Sequence, residues 1–247
     1  MRLKDALKNM DCGVAACDFA KRIAEDNGFL WDDAIRTVFS AIAQDHERAP
    51  GNIGGQNDSE HDTMLKWIRK YYSGKENRAS LRASNLPGTV ADPAIEGIIG
   101  ARLSNLSQDD LSEITDAHRL AMSAENILGL LLEEYLAENL LNAGWFCAWG
   151  ETVKSVDFVH QNGNLLQIKN RSNSENSSSS AIRSNTSIQK WYRIEAVRIQ
   201  YRWDDLNSMC DVSHLSEENF MKFVTQTLNN NPQCLAVEPQ NQWLPTY

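Results

Sequence analysis

One long apolar segment near the middle of the chain constrains the fold most strongly. The segment SAENILGLLLEEYLAENLLNAG, residues 123–144, carries Leu, Ile or Tyr on nearly every face of a helix. A helix that is apolar all round has to be buried, so we expect this one to lie at the centre of a domain. Ser123 is a candidate N-cap, and Gly144 follows the expected end of the helix.

Short strand candidates follow this helix and helical patterns precede it. WFCAW, SVDFVH and NLLQIKN are typical of strands, and the last two are joined around Asn162 and Gly163. Residues 1–48 show apolar residues at helical spacing, and further helical pieces follow them. We therefore predict an α/β protein with a mainly helical region at 1–115 and the core at 116–247. The alternative is one integrated domain that contains both regions.

The predicted hairpin places charged residues between apolar ones, and its loop length decides which side chains share a face. A two-residue turn at Asn162 and Gly163 mixes charge and hydrocarbon on both faces. A loop of three residues, 162–164, instead pairs Asp157 with Lys169. This register gathers the apolar side chains on one face, which can pack on the buried helix. The opposite face then carries Asp157, Gln167 and Lys169.

An acid beside a lysine on a face backed by a core indicates a metal-dependent hydrolytic site. The Asp157 carboxylate is a suitable ligand for a hard cation. Lys169 can orient or deprotonate an attacking water and offset charge that develops on a phosphate. The alternative is a surface ion pair, which contributes little to stability.

The distribution of charge favours a partner that carries phosphates. The net charge is -9, which argues against indiscriminate binding of polyanions. Two basic stretches, 66–82 and 169–202, nevertheless stand out, and they suit selective contact with nucleic acid. The alternative is two solvated faces. No membrane-length apolar run or secretion signal is present, so we expect a cytoplasmic protein.

The assembled residues resemble the PD-(D/E)XK nuclease superfamily, whose core is a helix with a glutamate, a strand with an Asp and a strand ending in (D/E)XK. The matching pieces are ENILGLLLEEYL, SVDF and QIK. Val156 stands in place of the proline, and Gln167 in place of the second acid, as in Mrr-like members. An amide is a poorer Mg²⁺ ligand than a carboxylate, so another acid should supply charge.

The resemblance implies a fold, a cofactor and a set of site residues. The fold is a PD-(D/E)XK-like core, a mixed sheet flanked by helices, and the cofactor is Mg²⁺. The implied catalytic residues are Asp157, Lys169, Gln167 and Glu133. The implied metal-contacting residues are Asp157, Glu133, Glu125 and Ile168, with Glu175 as an outside alternative to the helix glutamates.

A narrower resemblance involves SAENILGLLLEEYLA, LLQIKNRSNSENSSSSAIR and IQKWYR, which look like the type II restriction endonuclease family typified by SinI. It implies cleavage of double-stranded DNA at a short palindrome, GGWCC in the type member. It also implies 5'-phosphate ends, a homodimer and a bacterial, cytoplasmic setting. The alternatives are a methyl-directed or repair nuclease of the same superfamily, or an inactive DNA-binding module.

The polar segment after Lys169 and the two basic stretches supply the candidate DNA contacts. We expect Arg183 to read guanine and the lysines of residues 66–75 to contact phosphates. A flexible serine linker is the alternative for the polar segment. The candidates are Arg171, Asn173, Ser177, Ser178, Arg183, Lys190, Arg193, Lys66, Lys70 and Lys75.

Overall fold

The computed structural model describes residues 1–10, 13–86, 88, 91–171, 187–195 and 197–244. Its helices are α1 (Leu3–Lys8), α2 (Gly13–Asp26), α3 (Asp33–Gln44), α4 (Glu60–Glu76), α5 (Pro93–Arg102), α6 (Gln108–Asn139), α7 (Trp203–Cys210) and α8 (Glu217–Asn230). Its strands are β1 (Trp145–Cys147), β2 (Phe158–His160), β3 (Leu165–Arg171) and β4 (Ile188–Ile194). The predicted helical N-terminal region and the three strand candidates are therefore confirmed.

The strands form a mixed sheet in the order β1-β2-β3-β4. The pairs β1–β2 and β2–β3 are antiparallel, whereas β3 and β4 are parallel. A parallel pair needs a crossover connection, and residues 172–187 connect these two strands. The expected α/β class, with a mixed sheet and flanking helices, is thus observed.

The hairpin register differs from the predicted one. Phe158 lies opposite Leu166, which shifts the pairing by two residues, so the prediction that Asp157 and Lys169 are direct partners is wrong. The loop does contain three residues, but they are 161–163, because the His160 N–H donates to the carbonyl oxygen of residue 164 at 2.9 Å.

The two-residue shift preserves the sorting of side chains because strand faces alternate with a period of two. Leu166 and Ile168 lie on one face of β3, and Gln167 and Lys169 lie on the other. Gly163 closes the loop with φ of +92°, a conformation that glycine adopts without steric cost. The position of this glycine shifts the loop by one residue relative to the prediction.

On the face of the sheet that carries Gln167, the first residues of β3 and β4 are buried in a core that also contains residues of the N-terminal helices. Leu165 and its parallel partner Ile188 belong to the same buried apolar cluster as residues of α1 to α4. That cluster includes Leu3, Ile23, Phe39, Ile42, Met64 and Trp67. The start of this face is therefore buried in the core.

The opposite face packs against an aromatic cluster. Trp191, the parallel partner of Ile168, contacts Trp203 of α7 with ring centroids 5.2 Å apart. Trp203 in turn contacts Tyr135 of α6 and Phe220 of α8, each at 5.9 Å. Large buried aromatic side chains contribute several kcal/mol each to such cores, so this cluster ties β4 to the helices that cover this face.

The central helix α6 is longer than its apolar segment. It begins at Gln108, where Ser107 and Asp110 form reciprocal hydrogen bonds of 3.1 and 2.7 Å between side chain and backbone, the arrangement of a capping box. The prediction of Ser123 as N-cap is therefore wrong, and Ser123 is a buried mid-helix residue. The end is as expected, because Gly144 closes a short 3-10 turn with φ of +78°.

The chain divides into two compact units. The first contains 1–78 and 132–221, and the second contains 79–131 and 222–247. Within the second unit, Arg119 forms an ion pair with Glu238, and the Ser84 N–H donates to the Gln233 carbonyl oxygen at 2.9 Å. The predicted boundary at residues 115 and 116 falls inside α6. None of the helices in the described ranges has the length and apolar character needed to cross a bilayer.

Candidate active site

Asp157 lies immediately before β2, and its carboxylate reaches across to β3. Its Oδ2 accepts a hydrogen bond from the Ile168 N–H at 2.7 Å. Its own backbone N–H donates to the Leu166 carbonyl oxygen at 2.9 Å. The carboxylate is therefore held beside the Gln-Ile-Lys segment by a contact from side chain to backbone rather than by direct cross-strand pairing with Lys169.

The loop before Asp157 takes an irregular path and is held by a buried hydrogen bond. Gly150, Glu151 and Ser155 have φ of +71°, +55° and +65°, and such backbone conformations in non-glycine residues persist only where the surroundings enforce them. The Trp67 indole N–H donates to the Thr152 carbonyl oxygen at 2.9 Å, and this contact is buried. This hydrogen bond therefore holds the loop before Asp157 against α4.

The parallel pairing of β3 with β4 builds a row of polar side chains next to Asp157. Gln167 lies beside Lys190, and Lys169 lies beside Tyr192. Burial decreases along this face, since Leu165 is 8% exposed, Gln167 and Lys169 are half-buried and Arg171 is exposed. The face therefore emerges from the core at Gln167, which gives these residues access to a ligand.

Glu133 is the helix carboxylate that lies near Asp157. Burial, followed by repulsion from Asp157 and from Glu151, raises the pKa of Glu133 from its ordinary value of 4.5 to about 8. The buried thiol of Cys147 on β1 has a raised pKa because of burial and then the nearby charges of Glu133 and Asp157. Two carboxylates from different elements therefore share one partly desolvated region.

Two other acids of α6 have different surroundings: Glu134, the sequence neighbour of Glu133, and Glu125, the other predicted helix acid. Glu134 is buried, and its Oε1 lies 3.0 Å from Nε of Arg78, which marks it as half of a structural ion pair. Glu125 is exposed and lies in the part of α6 that belongs to the second unit. Of the predicted helix acids, the structure brings Glu133 near Asp157.

The acids present are compatible with a magnesium ion. Among the residues that the structure describes, no group of three or more His, Cys, Asp or Glu side chains is arranged to hold a metal. Mg²⁺, however, is commonly held by one or two carboxylates, with water and substrate phosphate oxygens completing its shell. The repulsion between Glu133 and Asp157 is the electrostatic situation that a divalent cation relieves, so the donor set fits.

The predicted DNA-contacting residues differ in their accessibility. Arg171 and Lys190 are exposed near the site. Arg193 is only 7% exposed, points to the opposite face of the sheet and forms an ion pair with Glu217 and a 2.9 Å hydrogen bond with Asn170. These contacts give Arg193 a structural role and remove it from the set that we propose to contact DNA.

The lysines of α4 are held to different degrees. Lys66 is exposed and paired with Asp58 at 2.6 Å, and Lys70 donates to the Asn52 side chain at 3.4 Å. Lys75 is half-buried in the last turn of α4. Asn173, Glu175, Ser177, Ser178 and Arg183 lie outside the described residues.

Tyr192 and Arg202 are part of this region and were not singled out from the sequence. The Arg202 guanidinium lies 5.3 Å from the centre of the Tyr192 ring and forms ion pairs with Glu195 and Asp205. The placement of Tyr192 beside Lys169 depends on a parallel strand pair formed across sixteen intervening residues. No local pattern in the sequence indicates that pairing.

Comparison with known proteins yields one family and two close relatives. A family model described as SinI restriction endonuclease matches residues 35–230. The type II restriction enzyme Eco47I of Escherichia coli is 44% identical over 147 residues, and the type II restriction enzyme SinI of Salmonella infantis is 41% identical over 147 residues. Each alignment covers 58% of this chain and 64% of the relative, which is less than two thirds of the relative's length.

Proposed function

This chain belongs to the SinI restriction endonuclease family, and we propose that it is a type II restriction endonuclease. In this proposal it hydrolyses double-stranded DNA at a short palindromic site, with Mg²⁺ as its cofactor. Both relatives are named as type II restriction enzymes, and we extend that activity to this chain. The core is then of the PD-(D/E)XK type, with Gln167 in the position of the second acid.

One contact carries the proposal. The hydrogen bond from the Ile168 N–H to Asp157 Oδ2, at 2.7 Å, holds an acid directly beside the strand that carries Gln167 and Lys169. Glu133 adds a second carboxylate, with its pKa raised to about 8 by burial and by its acidic neighbours. Metal-assisted hydrolysis of a phosphodiester needs such a pairing of hard ligands with a nearby cationic side chain.

Asp157 and Glu133 are the residues that would hold Mg²⁺, with Ile168 as a further candidate contact. When bound, the cation supplies Lewis-acid stabilisation of the charge that develops on the phosphate. Asp157 has one carboxylate oxygen engaged by the Ile168 N–H, which orients the other. Glu133 holds a proton at neutral pH in the metal-free protein, and a nearby cation favours its ionised form.

Lys169 and Gln167 act on the water and the phosphate. The Lys169 ammonium lies on the emerging face of β3, where it can orient or deprotonate the attacking water and offset negative charge on the phosphate. The Gln167 amide donates to a phosphate oxygen without adding charge. In-line attack of the water then breaks the bond between phosphorus and the 3' oxygen, leaving a 5'-phosphate.

The proposed partners are double-stranded DNA and a second copy of the chain. Arg171 and Lys190 are exposed beside the site and suit contacts with the DNA backbone. Lys66, Lys70 and Lys75 on α4 are proposed as further phosphate contacts, and Asn173, Ser177, Ser178 and Arg183 as contacts from the connecting segment. A palindrome that is cut on both strands matches a two-fold dimer, and we propose a GGWCC-type site as in the type member.

Digestion of unmethylated plasmid DNA tests the proposal. We expect Mg²⁺-dependent cleavage to discrete fragments whose sequenced ends share one palindrome and carry 5'-phosphates, and we expect EDTA to abolish it. Cleavage that persists in excess EDTA contradicts the mechanism.

Two other outcomes identify the alternatives. Cleavage restricted to methylated or structurally damaged substrates indicates a methyl-directed or repair nuclease. A gel shift without cleavage at any Mg²⁺ concentration indicates an inactive DNA-binding module, for which the missing second acid at Gln167 is the physical reason.

A further inference from the structure

A short turn follows β4 at the end of the sheet where the candidate site emerges. Its described residues are 195 and 197–200, and we call them the β4 turn. Its base is closed by a hydrogen bond of 3.1 Å from the Glu195 N–H to the Gln200 carbonyl oxygen and by an antiparallel bridge between Ile194 and Tyr201. The end of β4 and the returning chain thus form a narrow two-stranded projection.

The tip of the β4 turn carries the most exposed large apolar side chains among the described residues. Val197 is 89% exposed and Ile199 is 82% exposed. Arg198 lies between them with 65% of its side chain exposed, and its Nε is 3.8 Å from a Glu195 carboxylate oxygen. Val197 and Ile199 are therefore in contact with water, and they contribute little to the packing of the described part of their own unit.

The base of the β4 turn is held firmly, so the exposure of the tip does not follow from a loose attachment. Arg202 donates its backbone N–H to the Arg193 carbonyl oxygen at 2.9 Å and forms ion pairs with Glu195 and Asp205. The Trp191 indole N–H donates to the Arg202 carbonyl oxygen at 2.7 Å. These contacts fix the direction in which the tip projects.

The β4 turn also lies close to the proposed catalytic residues. Ile194, the last residue of β4, pairs with Arg171, two positions beyond the pair formed by Lys169 and Tyr192. At about 3.3 Å per residue, the tip lies roughly 10–15 Å beyond Lys169 along the strand direction. A phosphodiester positioned at Lys169 therefore brings a DNA groove within a few base pairs of the tip, since base pairs are spaced at about 3.4 Å.

We propose that the β4 turn enters the major groove of the DNA, where Val197 and Ile199 contact thymine methyl groups and Arg198 contacts a base edge or phosphate. The major groove admits a two-stranded ribbon, and apolar side chains recognise thymine there through its methyl group. The exposed arginine supplies charge complementary to the duplex. This inference rests on the proposed function and adds a specificity-determining element to it.

Affinities of the wild type and a double variant for a normal and a modified duplex test this inference. The wild type and the double variant Val197→Ser/Ile199→Ser are compared on a duplex that contains the proposed GGWCC-type site and on the same duplex with uracil in place of thymine, with Ca²⁺ replacing Mg²⁺. We expect the double variant to bind the thymine duplex about tenfold more weakly than the wild type. We also expect uracil substitution to weaken the wild type and to leave the double variant unchanged.

Val14→Ser is the matched control. Val14 is 70% exposed on α2, so this substitution removes a similar apolar surface away from the sheet, and it should leave both affinities unchanged. Equal melting temperatures for all variants exclude a folding defect. The binding readout does not depend on catalysis, so a failure of the proposed hydrolysis leaves this test readable.

Three results overturn the inference. The first is a double variant that binds both duplexes as the wild type does. The second is a double variant that loses the same factor in affinity as the wild type on uracil substitution. The third is a double variant whose DNA-free sedimentation mass falls, because the β4 turn is then a contact between protein chains.

Discussion

At the scale of single residues, the charged side chains of this chain separate into those with a structural role and those available to a ligand. Arg193 and Lys190 are three residues apart on β4 and illustrate the difference. Arg193 is buried with Glu217 and Asn170, whereas Lys190 is exposed beside Gln167. Sequence reasoning grouped them together, because a count of basic residues carries no information about which face of a strand each occupies.

Substitution of these two residues should therefore have opposite effects. Arg193→Ala breaks a buried ion pair and should lower the free energy of unfolding by about 3 kcal/mol, measured by urea denaturation. Lys190→Ala should change the free energy of unfolding by less than about 0.5 kcal/mol. It should weaken DNA binding, and it should reduce by about one unit the slope of the logarithm of the binding constant against the logarithm of the salt concentration. Equal stability losses for the two variants contradict the assignment.

Glu133 links the site to the pH dependence of stability. Because its pKa is raised to about 8 in the folded protein, the folded state binds more protons than the unfolded state between about pH 4.5 and pH 8. The free energy of unfolding therefore falls as the pH rises through that window. Glu133→Gln removes this loss and should stabilise the metal-free protein at pH 8.5 by up to about 4 kcal/mol, with little change at pH 4.5.

Thermal unfolding in EDTA at the two pH values measures the difference. Glu25→Gln is the control, because Glu25 is an exposed acid of α2 that forms a surface ion pair with Lys21. A gain in stability from Glu133→Gln that is the same at both pH values shows that the effect does not come from titration of Glu133.

At the scale of elements, the alternation of apolar and polar residues in β2 and β3 predicted the two faces correctly but not the register. A shift of two residues leaves every side chain on its face, so the pattern cannot detect it, and the loop geometry around Gly163 decided the pairing. The start of α6 was missed because the apolar segment begins well after the capping box at Ser107 and Asp110. The pairing of β3 with β4 has no local signal at all.

The contact between α4 and the loop before Asp157 gives an element-scale prediction. A Cβ atom on Gly74 of α4 would lie 2.3 Å from the backbone nitrogen of Gly150, so Gly74→Ala forces the two backbones apart. We expect it to lower the free energy of unfolding by about 2 kcal/mol and to reduce cleavage by displacing Asp157. Gly51→Ala is the control, because a Cβ at Gly51 would meet nothing within 4 Å. Unchanged cleavage by Gly74→Ala contradicts the positioning role of this contact.

At the scale of the whole molecule, the chain has a net charge of -9, whereas the DNA that we propose as its substrate is a polyanion. Repulsion over most of the surface limits loose binding, while the exposed cations beside Lys169 supply local attraction. The acids of the candidate site add to the repulsion until a cation neutralises them. Tight engagement of DNA should therefore require a divalent metal.

Cleavage by Asp157→Asn tests whether Asp157 belongs to the active site. Asparagine is nearly isosteric, and its carbonyl oxygen can still accept the hydrogen bond from the Ile168 N–H, so the fold should be retained while the metal-binding charge is lost. We measure the rate of plasmid cleavage in Mg²⁺ for the wild type, for Asp157→Asn and for Asp33→Asn, which alters an exposed aspartate of α3. We expect a loss of more than about a hundredfold for Asp157→Asn, with an unchanged melting temperature, and wild-type rates for Asp33→Asn. Cleavage by Asp157→Asn at a rate near that of the wild type contradicts the assignment of the active site.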